Sequence, residues 1–217
     1  MEPPVPQPPP FPPGQTALLL VDALNEFLKP GGKLYERTRA TAQSADTVAN
    51  LERVTAAARE TGMLVVYANH HSNRGGDYDG WKHPTPSHRR IAEFGLFAKD
   101  SFGARVIDEV TPQPGDVIAQ EHWTSSGFAN TDLEYLLNQR GIERVVVAGN
   151  RANTCIDSTG RYAVELGFHA TLIADAIAAF SEAEMEATIN VNWPAFAHAV
   201  VTSDEFIAAV AGDCGNT

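Results

Sequence analysis

Asp22, His122 and Cys155 are the residues of this 217-residue chain whose types and settings suggest chemistry. Each follows a short apolar run. Asp22 comes after Ala17-Leu18-Leu19-Leu20-Val21, His122 after the run that ends in Gln120-Glu121, and Cys155 closes Gly149-Asn150-Arg151-Ala152-Asn153-Thr154-Cys155, where a helix is expected to start. A carboxylate, an imidazole and a thiol on one rim can carry out nucleophilic catalysis. The carboxylate accepts the thiol proton during attack, and backbone N–H groups hold the oxyanion that forms. A cysteine at a helix start also meets unpaired N–H groups and the helix dipole, which favour the thiolate. Taken singly, each residue has a plainer explanation: buried cysteines pack as small apolar groups, and strand-end aspartates cap turns.

The elements that must position these groups follow from hydrophobic periodicity. Continuous apolar runs at 17–21, 63–67, 116–120, 144–148, 169–173 and 199–202 read as strands buried on both faces. Helical stretches are expected at 44–61 (Val48, Leu51, Val54, Ala58, closed by Gly62), and near 131–140, 155–167, 183–191 and 203–212. This alternation predicts an α/β fold, a doubly wound parallel six-stranded sheet with helices on both faces. Reactive groups in such sheets gather at the carboxyl ends of the strands near the switch point. Residues 69–103, rich in Gly, His, Trp and Pro, carry only brief helical signals, and a segment of that length is usually functional or mobile.

Residues 1–14 hold eight prolines and read as a proline-rich arm, extended over the surface or packed on a neighbouring subunit through Val5 and Phe11. A single domain is expected over 15–212, with a short tail at 213–217. At 43% hydrophobic and 20% charged the chain can bury a real core. Its formal charge of −11 disfavours phosphate backbones and anionic lipid, so nucleic acid and membrane drop out as partners. No apolar run approaches the roughly 20 residues that span a bilayer, and no signal-peptide pattern opens the chain. With two cysteines, Cys155 and Cys214, neither a disulfide framework nor a zinc knuckle is expected, and the expected setting is cytoplasmic.

Three spaced motifs, in order, resemble the isochorismatase-like cysteine hydrolases, a family that includes nicotinamidases and N-carbamoyl amidases. The family's Asp-x-Gln-Asn-x-Phe resembles Asp22-Ala23-Leu24-Asn25-Glu26-Phe27. Its Lys-x-x-x-Ser-Ala-Phe-x-x-Thr-x-Leu is similar to the stretch from His122 through Ser126, Gly127, Phe128 and Thr131 to Leu133. Its Gly-x-x-Thr-Asp-x-Cys resembles Gly149 to Cys155. The resemblance spans roughly 16–210. It implies that Cys155 attacks an amide carbonyl, that Asp22 shuttles protons, and that backbone N–H groups of Cys155 and Arg151 form the oxyanion hole. It also implies a cis peptide at Asn150–Arg151, a homo-oligomer and a small-molecule substrate.

One departure stands out. The family's triad lysine is replaced by His122, which can stand in as an imidazolium or work as an acid or base. The metal-binding branch of the family has an Asp-x-His pair after the second strand, where this chain reads Asn69-His70-His71, so no metal and no cofactor are expected. Phe27, Trp81 and Trp123 are candidates for an aromatic lining, and no arginine pair is placed to clamp a dicarboxylate, although Arg151, Arg74, Arg89 and Arg90 are available in or near the rim. The expected activity is hydrolysis of a small carboxamide, carbamoyl or imide C–N bond through an acyl-thioester on Cys155. The alternative is a non-hydrolytic or vinyl-ether-hydrolysing member, given His122 in place of lysine.

Overall fold

The computed structural model of the chain describes residues 9–213. Val5, most of the proline-rich arm and Cys214 therefore lie outside the described residues. Six strands form one sheet: β1 (Thr16–Val21), β2 (Leu64–Ala68), β3 (Val117–Ile118), β4 (Arg144–Asn150), β5 (His169–Ala178) and β6 (Ala199–Val201). Their order is β3-β2-β1-β4-β5-β6, and every neighbouring pair is parallel. The strand order reverses between β1 and β4, which puts the switch-point crevice at the carboxyl ends of those two strands.

The apolar strands are buried on both faces, as their composition requires. In β1, Leu18 and Leu20 face the layer built by α3 (Thr47–Glu60) and α9 (Ser203–Asp213). Leu19 and Val21 face the opposite layer, of α5 (Leu133–Asn138), α6 (Asp157–Glu165) and α8 (Trp193–Phe196). Each such leucine contributes about 1.5–3 kcal/mol by leaving water. Phe11 is buried in the first layer, with its ring edge-on to Phe206 of α9 at 5.2 Å. The expectation that Phe11 reaches a neighbouring subunit is thereby corrected: this chain's own core takes it. No helix among the described residues is long and apolar enough to cross a membrane.

The remaining helices differ from the periodicity reading. The short α1 (Asn25–Leu28) leads into α2 (Tyr35–Ser44), which that reading did not contain, and the chain re-enters α3 through Asp46 at φ 50°. Within 69–103 lies a nine-residue helix, α4 (Pro86–Phe94). Thr85 caps it by accepting the His88 N–H at 3.2 Å, while His88 Nδ1 accepts the Thr85 N–H at 3.2 Å. α7 (Glu182–Glu186) continues into a wide π-type turn over Ala187–Asn192.

β1 and β4 approach so closely at their carboxyl ends that only glycine fits. Gly149 has φ +118°, and a Cβ there would lie 1.9 Å from the Val21 carbonyl oxygen. Gly149→Ala should therefore cost about 4 kcal/mol or more of stability, read as a lower urea midpoint or loss of soluble protein. Wild-type stability in that variant would contradict the assigned packing.

Candidate active site

Asp22 directly follows β1, with φ 49°, and is completely buried. One of its oxygens accepts the His70 backbone N–H at 2.6 Å and lies 3.2 Å from His122 Nε2. His122 is also completely buried, and neither of its ring nitrogens has an aligned hydrogen-bond partner among the described residues. It arrives from the chain after β3, where the His122 N–H donates to the Asn69 carbonyl at 3.0 Å and its own carbonyl accepts from His71 at 2.9 Å. Cys155 comes from β4, through the cis Asn150–Arg151 peptide and a wide π-type turn over Ala152–Ile156 that leads into α6. One donor atom from each of Asp22, His122 and Cys155 lies within 4.8 Å of the other two. The three residues expected from the sequence are thus brought together at the switch point.

The electrostatics correct one expectation. Burial first, and then the charge and hydrogen bonding of Asp22, push the Cys155 thiol well above its ordinary value. The Thr154 hydroxyl and the Arg151 backbone N–H, both directed at the sulfur, pull the other way and lose. Magnitudes explain why. Two unit anions less than 5 Å apart repel by about 3–4 kcal/mol at an effective dielectric near 20, whereas a helix N-terminus returns roughly 0.3–1 kcal/mol. Burial and the Asp22 charge thus favour a neutral thiol at Cys155, against the thiolate that its place at a helix start suggested. Burial also opposes the ionisation of Asp22, yet the His122 ring beside it, together with His70 and Cys155, outweighs burial and holds the carboxyl below its usual value. The His70 ring, desolvated by burial against the pull of Asp22, is held down at about 4.

These groups meet a cavity of about 260 Å³ whose lining includes Asp22, Cys155, His70 and Phe27. The cavity walls come from α2, α4 and the segments after β4 and β5, through Arg37, Ile91, Arg151 and Phe180. Phe27 is placed as expected. Trp81 and Trp123 are not: neither lines the cavity. Trp123 stacks on His71 at 3.7 Å and meets Trp81 at 5.6 Å, in an aromatic cluster with Tyr78. Residue type alone suggested lining, but orientation sends both indoles into packing. His122 also stays out of the lining, behind Asp22, whereas His70 faces the cavity and stacks on Phe97 at 4.7 Å.

The sequence reading missed Arg37, Phe180 and the anchoring role of Glu26. Glu26 is buried and accepts two backbone N–H bonds, from Lys33 at 3.0 Å and Phe97 at 2.9 Å, and so fixes the cavity wall. Its position inside the Asp22–Phe27 motif was the one available signal. The Ser126 hydroxyl accepts from Phe128 and Ala129, and the Thr131 hydroxyl donates to the Gly127 carbonyl at 2.6 Å. Those residues of the second motif shape a turn and touch no reacting group.

Among the described residues, the donors of Asp22, His122 and Cys155 are the one set of three or more that could hold a metal ion. His70, His71, His83 and His88 do not converge. His71 is drawn to Asp77 at 2.8 Å, and His88 caps α4.

The parallel six-stranded α/β fold, with a carboxylate, an imidazole and a thiol gathered at its switch point, is the architecture of a hydrolase. The isochorismatase domain model matches residues 16–205, and the chain belongs to the isochorismatase family of hydrolases. It is similar to a cysteine hydrolase from Pseudomonas syringae pv. phaseolicola 1448A, at 27% identity and TM-score 0.82, over 98% of this chain and 100% of that one. An N-carbamoylsarcosine amidase from Thermoplasma acidophilum is 28% identical with TM-score 0.67, over 88% of this chain and 97% of that one. A pyrazinamidase/nicotinamidase from Streptococcus mutans UA159 shares the fold at 19% identity and TM-score 0.69, over 86% of this chain and 100% of that one.

The raised thiol has a direct consequence. The rate of Cys155 alkylation by iodoacetamide should keep rising past the roughly 8.5 of a free thiol, and Asp22→Asn, which removes the neighbouring charge, should move the midpoint down. A wild-type midpoint well below 8.5 would contradict the assigned charge state.

Proposed function

We propose that this hydrolase cleaves a small carboxamide or carbamoyl C–N bond through an acyl-thioester on Cys155. The observation that carries this reading is the Cys155 thiol lying against the ionised Asp22 carboxylate at a cavity wall. A neutral thiol beside a carboxylate suits attack in which the proton leaves as the bond forms. Sulfur bonds to the substrate carbonyl carbon, the S–H proton passes to Asp22, and the carbonyl electrons move onto oxygen. The backbone N–H groups of Arg151 and Cys155 would receive that oxyanion; the Arg151 N–H is already directed at the sulfur.

Collapse of the tetrahedral adduct breaks the C–N bond, and Asp22 returns its proton to the departing nitrogen. Water then attacks the thioester, giving a proton to Asp22, and C–S cleavage releases the acid while the proton returns to sulfur. The sum is amide plus water giving acid plus amine or ammonia.

In this mechanism His122 is a positioning residue. It touches Asp22 from behind the cavity wall and, in its imidazolium form, balances the carboxylate while the thiol gives up its proton. Desolvation makes that balance valuable, because a lone buried carboxylate is unfavourable by several kcal/mol.

An ammonia-release screen of small carboxamides and N-carbamoyl compounds tests the reaction. Cys155→Ser and Asp22→Asn should each lower kcat by about a thousandfold or more, with folding checked by thermal unfolding. Turnover surviving in Cys155→Ser would overturn the thioester route. His122→Ala should lose roughly a hundredfold in kcat, whereas His122→Lys, which keeps a cation beside Asp22, should recover most of it. A lysine variant as impaired as the alanine one would remove the charge-balancing role from His122.

A further inference from the structure

The cavity holds more positive charge than the hydrolytic chemistry uses. Arg37 on α2 and Arg90 on α4 both line it, together with the catalytic carboxylate Asp22. The same two arginines also line an adjoining groove with Lys33, Leu34, Phe94 and Leu96, so they stand where the catalytic cavity opens into that groove. Neither guanidinium forms an ion pair or a hydrogen bond among the described residues. Other arginines of the chain do: Arg53 reaches Asp204, Arg59 reaches Asp116, and Arg151 takes Glu184 at 3.1 and 3.3 Å. In a chain with formal charge −11, two exposed guanidiniums left without carboxylates at one cavity mouth are conspicuous.

Arg37 is partly ordered already. Its guanidinium sits 3.8 Å from the centre of the Phe180 ring, which also carries the Arg151 guanidinium at 4.1 Å. Stacking restrains the side chain while leaving its N–H groups free, a preorganised form for receiving a planar anion. Lys33 cannot take the same part, because its ammonium is spent on the carbonyls of Phe94 and Gly95 at 2.8 and 2.7 Å.

We propose that the substrate is a small carboxamide or carbamoyl compound bearing a free carboxylate, which Arg37 and Arg90 bind while its C–N bond lies at Cys155. The apolar walls supplied by Phe27, Phe97 and Ile91 suit the carbon skeleton between the two ends. This inference rests on Cys155 being the nucleophile of the site. The sequence reading already had Arg90 near the rim but lacked Arg37, because α2 was absent from that reading.

Two electrophiles of nearly equal size test the subsite without turnover. Iodoacetate carries a carboxylate and iodoacetamide does not, so the ratio of their alkylation rates at Cys155 reports anion binding near the thiol. Cys214, read from the same digest by mass spectrometry, gives the ratio for a second thiol of the chain. The iodoacetate:iodoacetamide ratio at Cys155 should exceed that at Cys214 by roughly tenfold and fall toward it in an Arg37→Gln/Arg90→Gln double variant. Arg39→Gln/Arg89→Gln changes net charge equally on the same two helices, outside the cavity, and should keep the wild-type ratio. An unchanged ratio in the first variant, or an equal fall in both, overturns the proposal.

Calorimetric titration of the Cys155→Ser protein covers a thiol too enclosed to react with either reagent. N-carbamoylglycine should bind at least about ten times more tightly than N-carbamoylglycinamide, through Arg37 and Arg90. Equal binding, or none by either compound, also overturns it. Carboxylate selectivity without hydrolysis of any amide would instead count against the proposed reaction and leave the subsite standing.

Discussion

The site depends on a carboxylate set deep inside the protein. Asp22 is completely buried at the end of β1, and a carboxylate in that position can stay ionised only if the fold surrounds it with compensating groups. Three segments supply them. The chain after β2 gives the His70 N–H, the chain after β3 brings His122, and the turn after β4 presents the Cys155 thiol. The first and last lie next to the switch point because the sheet order places β2 and β4 on either side of β1, and His122 reaches Asp22 from beyond β2 through the chain after β3. Asp22 thereby links topology to the site: the parallel sheet converges its strand ends, and the converged groups hold a buried negative charge beside the Cys155 thiol.

This arrangement inverts the usual view of an activated cysteine. A helix start next to a base suggests a thiolate waiting for substrate. Here the base is itself an anion close to the sulfur, and their repulsion exceeds the attraction from nearby N–H dipoles. A second anion would be tolerated only once negative charge moves away from sulfur into the oxyanion, so the stabilisation is kept for the reacting state. His70 fits the same scheme. Its buried ring is held down at about 4, so it faces the cavity as a neutral, polar wall.

Much of the frame was legible because its physics is local. Strands buried on both faces must be apolar throughout, and four of the six appear in the sequence close to their observed bounds; β5 runs on to Ala178, five residues past its expected end, and β3 is shorter, ending at Ile118 on the sheet edge. That Asp22, His122 and Cys155 lie together was legible through strand ends and motif spacing. α2 was not, because it docks through threonines in place of an apolar stripe. The Thr41 hydroxyl donates to the Ala179 carbonyl at 2.6 Å, and Thr38 bonds to Phe27. Hydrogen-bonded threonines leave no hydrophobic periodicity to read. Losing α2 meant losing Arg37, and with it the electropositive mouth of the cavity. The tryptophans failed for another reason: spacing places an indole near a site, but only tertiary packing decides which way it turns, and Trp123 turns onto His71.

The most direct measurement is the infrared S–H stretching band of Cys155 at pH 7, taken as the difference between the wild-type protein and Cys155→Ser. The same difference for Asp22→Asn reports whether Asp22 absorbs as a carboxylate or as a carboxylic acid. A neutral thiol beside an ionised Asp22 gives an S–H band and a carboxylate signal together. Loss of the S–H band, or a protonated Asp22, would show that the proton already rests elsewhere and would contradict the charge arrangement on which the site is built.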